Sequence, residues 1–174
     1  MMTSDELRRL IRDIPDFPKP GIMFRDITPL IGDARALAAV VDQLATPFLG
    51  QVDTVLGIES RGFIVGAPVA YRLGVGLSIA RKPGKLPFLT VDEPYDLEYG
   101  TASLQMHQDG IAVGTRVLIV DDLLATGGTA EAAVRLVRKL GAQPIGCAFV
   151  VELRSLNGRA RLAPLNCLSL VQYD

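Results

Sequence analysis

With 174 residues, 49% of them apolar and 21% charged, the chain can bury a real hydrophobic core, which excludes a disordered protein. A formal net charge of −1 supplies no global basic field for nucleic acid, so the expected partner is a small molecule. The N-terminus has no apolar run of the signal-peptide kind and no segment nears the length of a membrane span, so the expected setting is cytoplasmic, with no membrane contact.

Thr3-x-x-Glu6 reads as a capping box, and Leu7, Leu10, Ile11 and Ile14 recur at helical spacing. Together they predict an amphipathic opening helix stopped by Pro15, Pro18 and Pro20. A second helical pattern covers Ala34 to Phe48 and breaks at Pro47 and Gly50. Thr54 to Ile58 reads as a short buried strand, Phe63 to Leu73 as a helix despite Pro68, and Leu77 to Ala80 as a strand. Val117 to Val120 is a dense β-branched strand, followed by a helix over Thr129 to Leu140 that Gly141 ends. Ile145 to Val151 and Cys167 to Val171 read as further strands. Apolar strands separated by helices predict an α/β fold with a mainly parallel, twisted sheet flanked by helices.

One stretch breaks the alternation. Between Arg81 and Ser103 lie Pro83, Gly84, Pro87, Pro94 and Gly100 among many polar residues. A connection of that length in a compact domain is expected to be a functional lid, and a flexible β-hairpin is compatible with it. Cys147 and Cys167 lack metal-ligand or C-x-x-C spacing and are expected as buried free thiols. His107, the sole histidine, is expected at the surface or hydrogen-bonded.

The most specific signal is Val117-Leu118-Ile119-Val120-Asp121-Asp122-Leu123-Leu124-Ala125-Thr126-Gly127-Gly128-Thr129, where a buried strand runs into two acids and a small-residue turn before a helix. Ligands of open α/β sheets bind at this end of the strands. Gly127 and Gly128 let the backbone approach an anion, Thr126 and Thr129 offer hydroxyls, and the first N–H groups of the helix aim its dipole at the same point. These features predict a monophosphate cradle. It is neither a P-loop nor a dinucleotide fingerprint, since G-x-x-x-x-G-K-[ST] and G-x-G-x-x-G are both missing. Adjacent acids suit a phosphate carried on a ribose, because carboxylates accept from vicinal hydroxyls and hold a metal directly or through water.

This segment closely resembles the phosphoribosyl-pyrophosphate motif of the type I phosphoribosyltransferases. Further segments resemble the branch of that family that uses adenine: Phe17-Pro18-x-Pro20-Gly21-Ile22-x-Phe24-Arg25-Asp26-Ile27, Glu59-Ser60-Arg61-Gly62-Phe63, Arg81-Lys82-Pro83-Gly84-Lys85-Leu86-Pro87, Leu97-Glu98-Tyr99-Gly100 and Ser169-Leu170-Val171-Gln172-Tyr173. They run in order across nearly the whole chain.

The resemblance implies an Mg²⁺-dependent transfer from 5-phosphoribosyl 1-pyrophosphate (PRPP) to adenine, giving AMP and pyrophosphate for purine salvage. It implies the type I phosphoribosyltransferase fold, a single domain over residues 1–174. Residues 1–33 would form an N-terminal helix and base-site segment, residues 81–103 a mobile lid, and the assembly would be a homodimer. By the same resemblance, Asp121 and Asp122 would hold the ribose hydroxyls, and Ala125, Thr126, Gly127, Gly128 and Thr129 the 5′-phosphate. Glu59, Ser60 and Arg61 would bind pyrophosphate through a cis Glu59–Ser60 bond, with Lys82 and Lys85 on the lid countering its charge. Phe24, Arg25 and Leu123 would meet adenine, and Glu98, with Tyr99 beside it, would be the catalytic carboxylate. Mg²⁺ would be held through PRPP and water, with Asp121 and Asp122 the available carboxylates. Family members using 6-oxo purines carry a lysine after the phosphate-binding helix, and here no lysine follows Lys139. A transferase for xanthine or another base, and a nucleic-acid-binding PRPP sensor, are the competing readings. Neither a lysine at that place nor a basic face supports them.

Overall fold

Thr3 caps the first helix, α1 (Ser4–Arg8), of the computed structural model, which describes residues 2–96 and 101–174. Its hydroxyl accepts from the Glu6 N–H while the Glu6 carboxylate accepts from the Thr3 N–H, so both halves of the capping box are made. The helix is shorter than the apolar spacing predicts. Ile14 lies instead in β1 (Arg12–Ile14), which pairs antiparallel with β2 (Phe24–Asp26), setting Ile14 opposite Phe24. A helix this short has little stability of its own, so tertiary pairing decides where it stops.

α2 (Thr28–Gly32), which the sequence did not announce, leads into α3 (Ala34–Ala45), capped by the Asp33 carboxylate on the N–H groups of Arg35 and Ala36. Pro47 turns the predicted end of that helix into a 3₁₀ turn over Thr46–Phe48. Strand and helix then alternate through β3 (Thr54–Ile58), α4 (Arg61–Leu73) and β4 (Gly76–Ala80). After β5 (Thr90–Asp96) and β6 (Thr101–His107) come β7 (Arg116–Leu124), α5 (Gly128–Lys139), β8 (Gln143–Leu153), α6 (Arg159–Leu162) and β9 (Asn166–Tyr173).

Five of these strands form one all-parallel sheet in the order β4-β3-β7-β8-β9. Alternate residues of its strands feed two cores, the pattern expected of a sheet covered on both faces. Val55, Leu118, Val120 and Ala148 pack with α1, α3 and α4, whereas Leu56, Ile119, Cys147 and Phe149 pack with α5 and the β5–β6 hairpin. Cys147 and Cys167 face each other in the β8–β9 register as buried free thiols.

The segment that broke the alternation contains that antiparallel hairpin. Its inner side chains Tyr95, Leu104 and Met106 are buried in the second core, and its outer edge is tied to α5. Arg135 pairs with the Glu93 carboxylate at 2.7 Å and Lys139 donates to the Asp92 carbonyl at 2.8 Å. His107 closes β6, half-buried beside Phe88, and its Nε2 has no partner among the described residues. The expectation of a surface or hydrogen-bonded histidine is corrected for that nitrogen: hairpin pairing carries the ring edge-on to Phe88, where Nε2 is buried and meets no partner among the described residues.

Candidate active site

The chain register puts the loops after β3 and β7 side by side. Gly57 pairs with Val120, so Glu59–Arg61 and Asp121–Asp122 emerge from neighbouring strands at the carboxyl edge of the sheet. The turn into α4 is tight because residue 62 has no side chain. A Cβ there would lie 2.8 Å from the Val120 carbonyl oxygen and 2.9 Å from Asp121 Oδ1. Between these loops opens a cavity of about 560 Å³. Glu59, Ser60 and Arg61 line one side, Asp121 to Ala130 the floor, and Lys82, Tyr95 and Leu104 the other side.

The Glu59–Ser60 peptide is cis, as the resemblance implied, and two further cis bonds precede Pro18 and Pro164. Glu59 itself turns away from the cavity centre to fasten the next strand. Its carboxylate accepts from the Lys82 N–H at 2.9 Å and from Arg81 Nε at 3.1 Å. Burial would raise its pKa, but these donors hold the carboxyl below its ordinary value. Glu59 thereby fixes the backbone that carries Lys82 at the cavity rim. Lys85 is exposed and does not line the cavity, and its carbonyl accepts from Arg81.

On the floor, Asp121 and Asp122 are unlike. Burial, and then the neighbouring Asp122 charge, push the Asp121 carboxyl well above the usual carboxylate range. Burial also raises Asp122, opposed by the Arg61 guanidinium, whose Nε stands 2.8 Å from its Oδ2. The Arg61 guanidinium also lies over the Phe24 ring, 5.0 Å from its centre. One arginine therefore links the loop after β3, the paired acids and the ring contributed by β2. Phe24 approaches the site through this contact, stacked edge-on against Phe17. The Arg25 side chain leaves in another direction, pairing with Asp13 and lying over the Tyr173 ring.

Past the acids, β7 continues to Leu124, longer than predicted, and Ala125–Thr126 turn into α5 at Gly127. Gly127 adopts φ +84°, a left-handed conformation that glycine reaches without strain. The first N–H groups of this twelve-residue helix have no intrahelical acceptor, and its first turn lines the cavity together with Thr126 and Thr129. The described residues contain no group of three His, Cys, Asp or Glu able to cage a metal, and Asp121 and Asp122 are the carboxylates on the cavity floor that a cation could meet. Glu98 and Tyr99 lie outside the described residues.

The cavity is also lined by side chains that no local pattern singles out. Tyr95 and Leu104 reach it only because the hairpin folds back over α5. Gly158 touches the cradle from behind, and the turn signal Asn157-Gly158 announces a turn without its position.

An open parallel sheet with an anion cradle and paired acids at its carboxyl edge defines a phosphoribosyl-binding enzyme of the type I phosphoribosyltransferase fold. The family model for the phosphoribosyl transferase domain matches residues 25–173. The adenine phosphoribosyltransferase of Methylococcus capsulatus is 56% identical over 170 residues, covering 97% of this chain and 99% of that one. Among solved structures, the adenine phosphoribosyltransferase of Thermoanaerobacter pseudethanolicus superposes with a TM-score of 0.95 at 49% identity, over 98% of this chain and 100% of that one. The Saccharomyces cerevisiae enzyme, complexed with an imino-altritol bisphosphate and adenine, gives 0.90 at 36% identity, over 97% and 98%. The chain belongs to the adenine phosphoribosyltransferase family.

Proposed function

We propose that this chain joins adenine to PRPP through the cavity at the carboxyl edge of the sheet, each residue acting as follows. The observation that carries the reading is the convergence, in one cavity, of the α5 N-terminus, the acids Asp121 and Asp122, and the Glu59–Arg61 loop. The 5′-phosphate sits on Ala125–Thr129, where backbone N–H groups and two hydroxyls meet its charge. Asp121 and Asp122 accept from the ribose hydroxyls. The close Arg61 keeps a cation beside Asp122 and next to the site where pyrophosphate departs. Ser60, with the cis Glu59–Ser60 peptide, binds pyrophosphate alongside Arg61, and Lys82 at the rim, with Lys85 on the lid, neutralises it further.

Adenine enters between Leu123 on the floor and the Phe24–Arg25 segment above. Its N9 forms a bond to ribose C1 while the bond from C1 to pyrophosphate breaks. Glu98 takes the ring proton released at N7, and Tyr99 lies beside it on the lid. Asp121 and Asp122 would be the carboxylates available to Mg²⁺, which would supply charge neutralisation on the departing pyrophosphate. Closure of residues 81–103 keeps water from the activated sugar. Assembly as a homodimer in the cytoplasm completes the reading. Two exposed apolar side chains on one face of α4, Tyr71 and Ile64, support it as unpartnered surface.

The deciding experiment measures AMP formation with PRPP and Mg²⁺ and each of adenine, guanine, hypoxanthine and xanthine. Turnover with adenine alone is expected. Equal turnover of a 6-oxo purine would overturn the base assignment, and PRPP binding without turnover of any base would overturn the reaction.

A further inference from the structure

Gly158 follows β8 on the far side of the cradle loop, at the N-cap of α6. Its backbone is ordinary, with φ −61° and ψ −29°, angles open to any residue. Conformation therefore does not explain a glycine here. Space does: a Cβ at residue 158 would stand 2.2 Å from the Ala125 carbonyl oxygen, 2.8 Å from the Gly127 nitrogen and 2.9 Å from the Thr126 carbonyl carbon. The contact is reciprocal, since a Cβ on Gly127 would lie 2.5 Å from the Gly158 carbonyl oxygen. All these atoms are backbone, so neither chain yields by turning a side chain.

The buttress is itself held. Arg159, the next residue, donates through Nε to Glu152 Oε1 at 3.0 Å and also reaches the Cys167 carbonyl. Glu152 is buried near the end of β8, and the Arg159 guanidinium holds its carboxyl below the ordinary value. Asn157, just before, takes the left-handed turn at φ +52° that swings the chain toward the cradle. The sheet thus anchors an ion pair, the ion pair anchors residue 158, and residue 158 backs the loop between β7 and α5.

We infer that Gly158 is a positioning residue for PRPP: its bare backbone, pinned by Arg159 and Glu152, sets the shape of the Ala125–Gly127 turn that receives the 5′-phosphate. The inference rests on the cradle reading above. Any side chain at 158 must push that turn by about 1 Å to restore ordinary van der Waals separation. Displacements of that size at a positioned site are worth up to roughly a hundredfold in rate or binding.

The test compares Gly158→Ala with Thr129→Ala, which removes a cradle hydroxyl directly, and with Arg159→Gln, which loosens the pin without adding volume. Initial rates with varied PRPP are measured together with thermal unfolding and the equilibrium binding of AMP and adenosine. Gly158→Ala is expected to raise KM for PRPP by about 10- to 100-fold, with kcat changed much less. AMP binding should weaken while adenosine, which lacks the phosphate, binds as before. Arg159→Gln is expected to give the same split at smaller size. A role in stability alone would lower the unfolding temperature and the active fraction and leave KM unchanged, which overturns the inference. If Gly158→Ala does not fold, Arg159→Gln decides by the same split, and an unchanged KM overturns the inference. An unchanged KM in Thr129→Ala, by contrast, counts against the cradle itself.

Discussion

The floor of the cavity and its cover are built on different physics. The floor is the carboxyl edge of a parallel sheet, where loop shape follows from strand register and from backbone contacts too close for a side chain, at Gly62, Gly127 and Gly158. The cover comes from β2 and the β5–β6 hairpin, held from outside by Arg135 and Lys139 on α5 and by the Glu59 contact to Lys82. On the proposed reading, ground-state binding of the sugar phosphate belongs to the floor and chemistry on the base to the cover, so damage to the two should separate in kinetics.

The sharpest separation should come from the cover. Glu98→Gln is expected to lower kcat by roughly 10²- to 10⁴-fold, the scale of a lost positioned general acid or base, with PRPP binding little changed. Steady-state kinetics and a PRPP titration check it, and near-normal kcat would remove Glu98 from the reaction. On the floor the reverse is expected. Gly128→Val should abolish productive PRPP binding in a soluble, folded protein, because Gly128 is buried in the first turn of α5 beside the cradle. A normal KM for PRPP in that variant would erase the distinction.

A smaller effect should appear without mutation. Amide hydrogen exchange across residues 81–103 is expected to slow when PRPP and Mg²⁺ are added. Within that segment, Thr90–Asp96, already paired and packed on α5, should change less than residues 82–89. Equal exchange with and without ligand would make the cover a fixed wall.

The smallest effect lies far from both regions. Asp53, at the opposite end of β3, is held at about 2 by hydrogen bonds from Arg116, against an ordinary value of 3.8. A depressed carboxyl stabilises the fold above its ordinary value, and that contribution is lost as pH falls from there through about 2. The pair is exposed, so the loss should be slight, and Asp53→Asn should flatten that part of an acid-unfolding curve without altering PRPP binding at neutral pH.

Legibility in the sequence followed the same division. The strand–acid–glycine–helix signal around Asp121 is local, because a strand, a cradle and a helix start that are contiguous in the chain are contiguous in space. β3 and the middle of β8 were readable for a similar reason, since a strand buried on both faces is apolar at nearly every position. The resemblance to a family, carried by segments spread along the whole chain, supplied roles that no local pattern holds, Glu98 above all.

The tertiary structure alone decided the rest. The Ile14 spacing was helical, yet pairing with Phe24 drew that residue into a strand. Tyr95 and Leu104 entered the cavity only by the folding of a hairpin over α5. Arg61 was legible as a cation, but not as the link between Asp122 and Phe24. Gly158 was not singled out, since the dipeptide Asn157-Gly158 marks at most a turn. Periodicity and motif report what a segment wants from its immediate neighbours, whereas these contacts join residues as far apart in the chain as Arg61 and Asp122, and only tertiary packing brings them within reach.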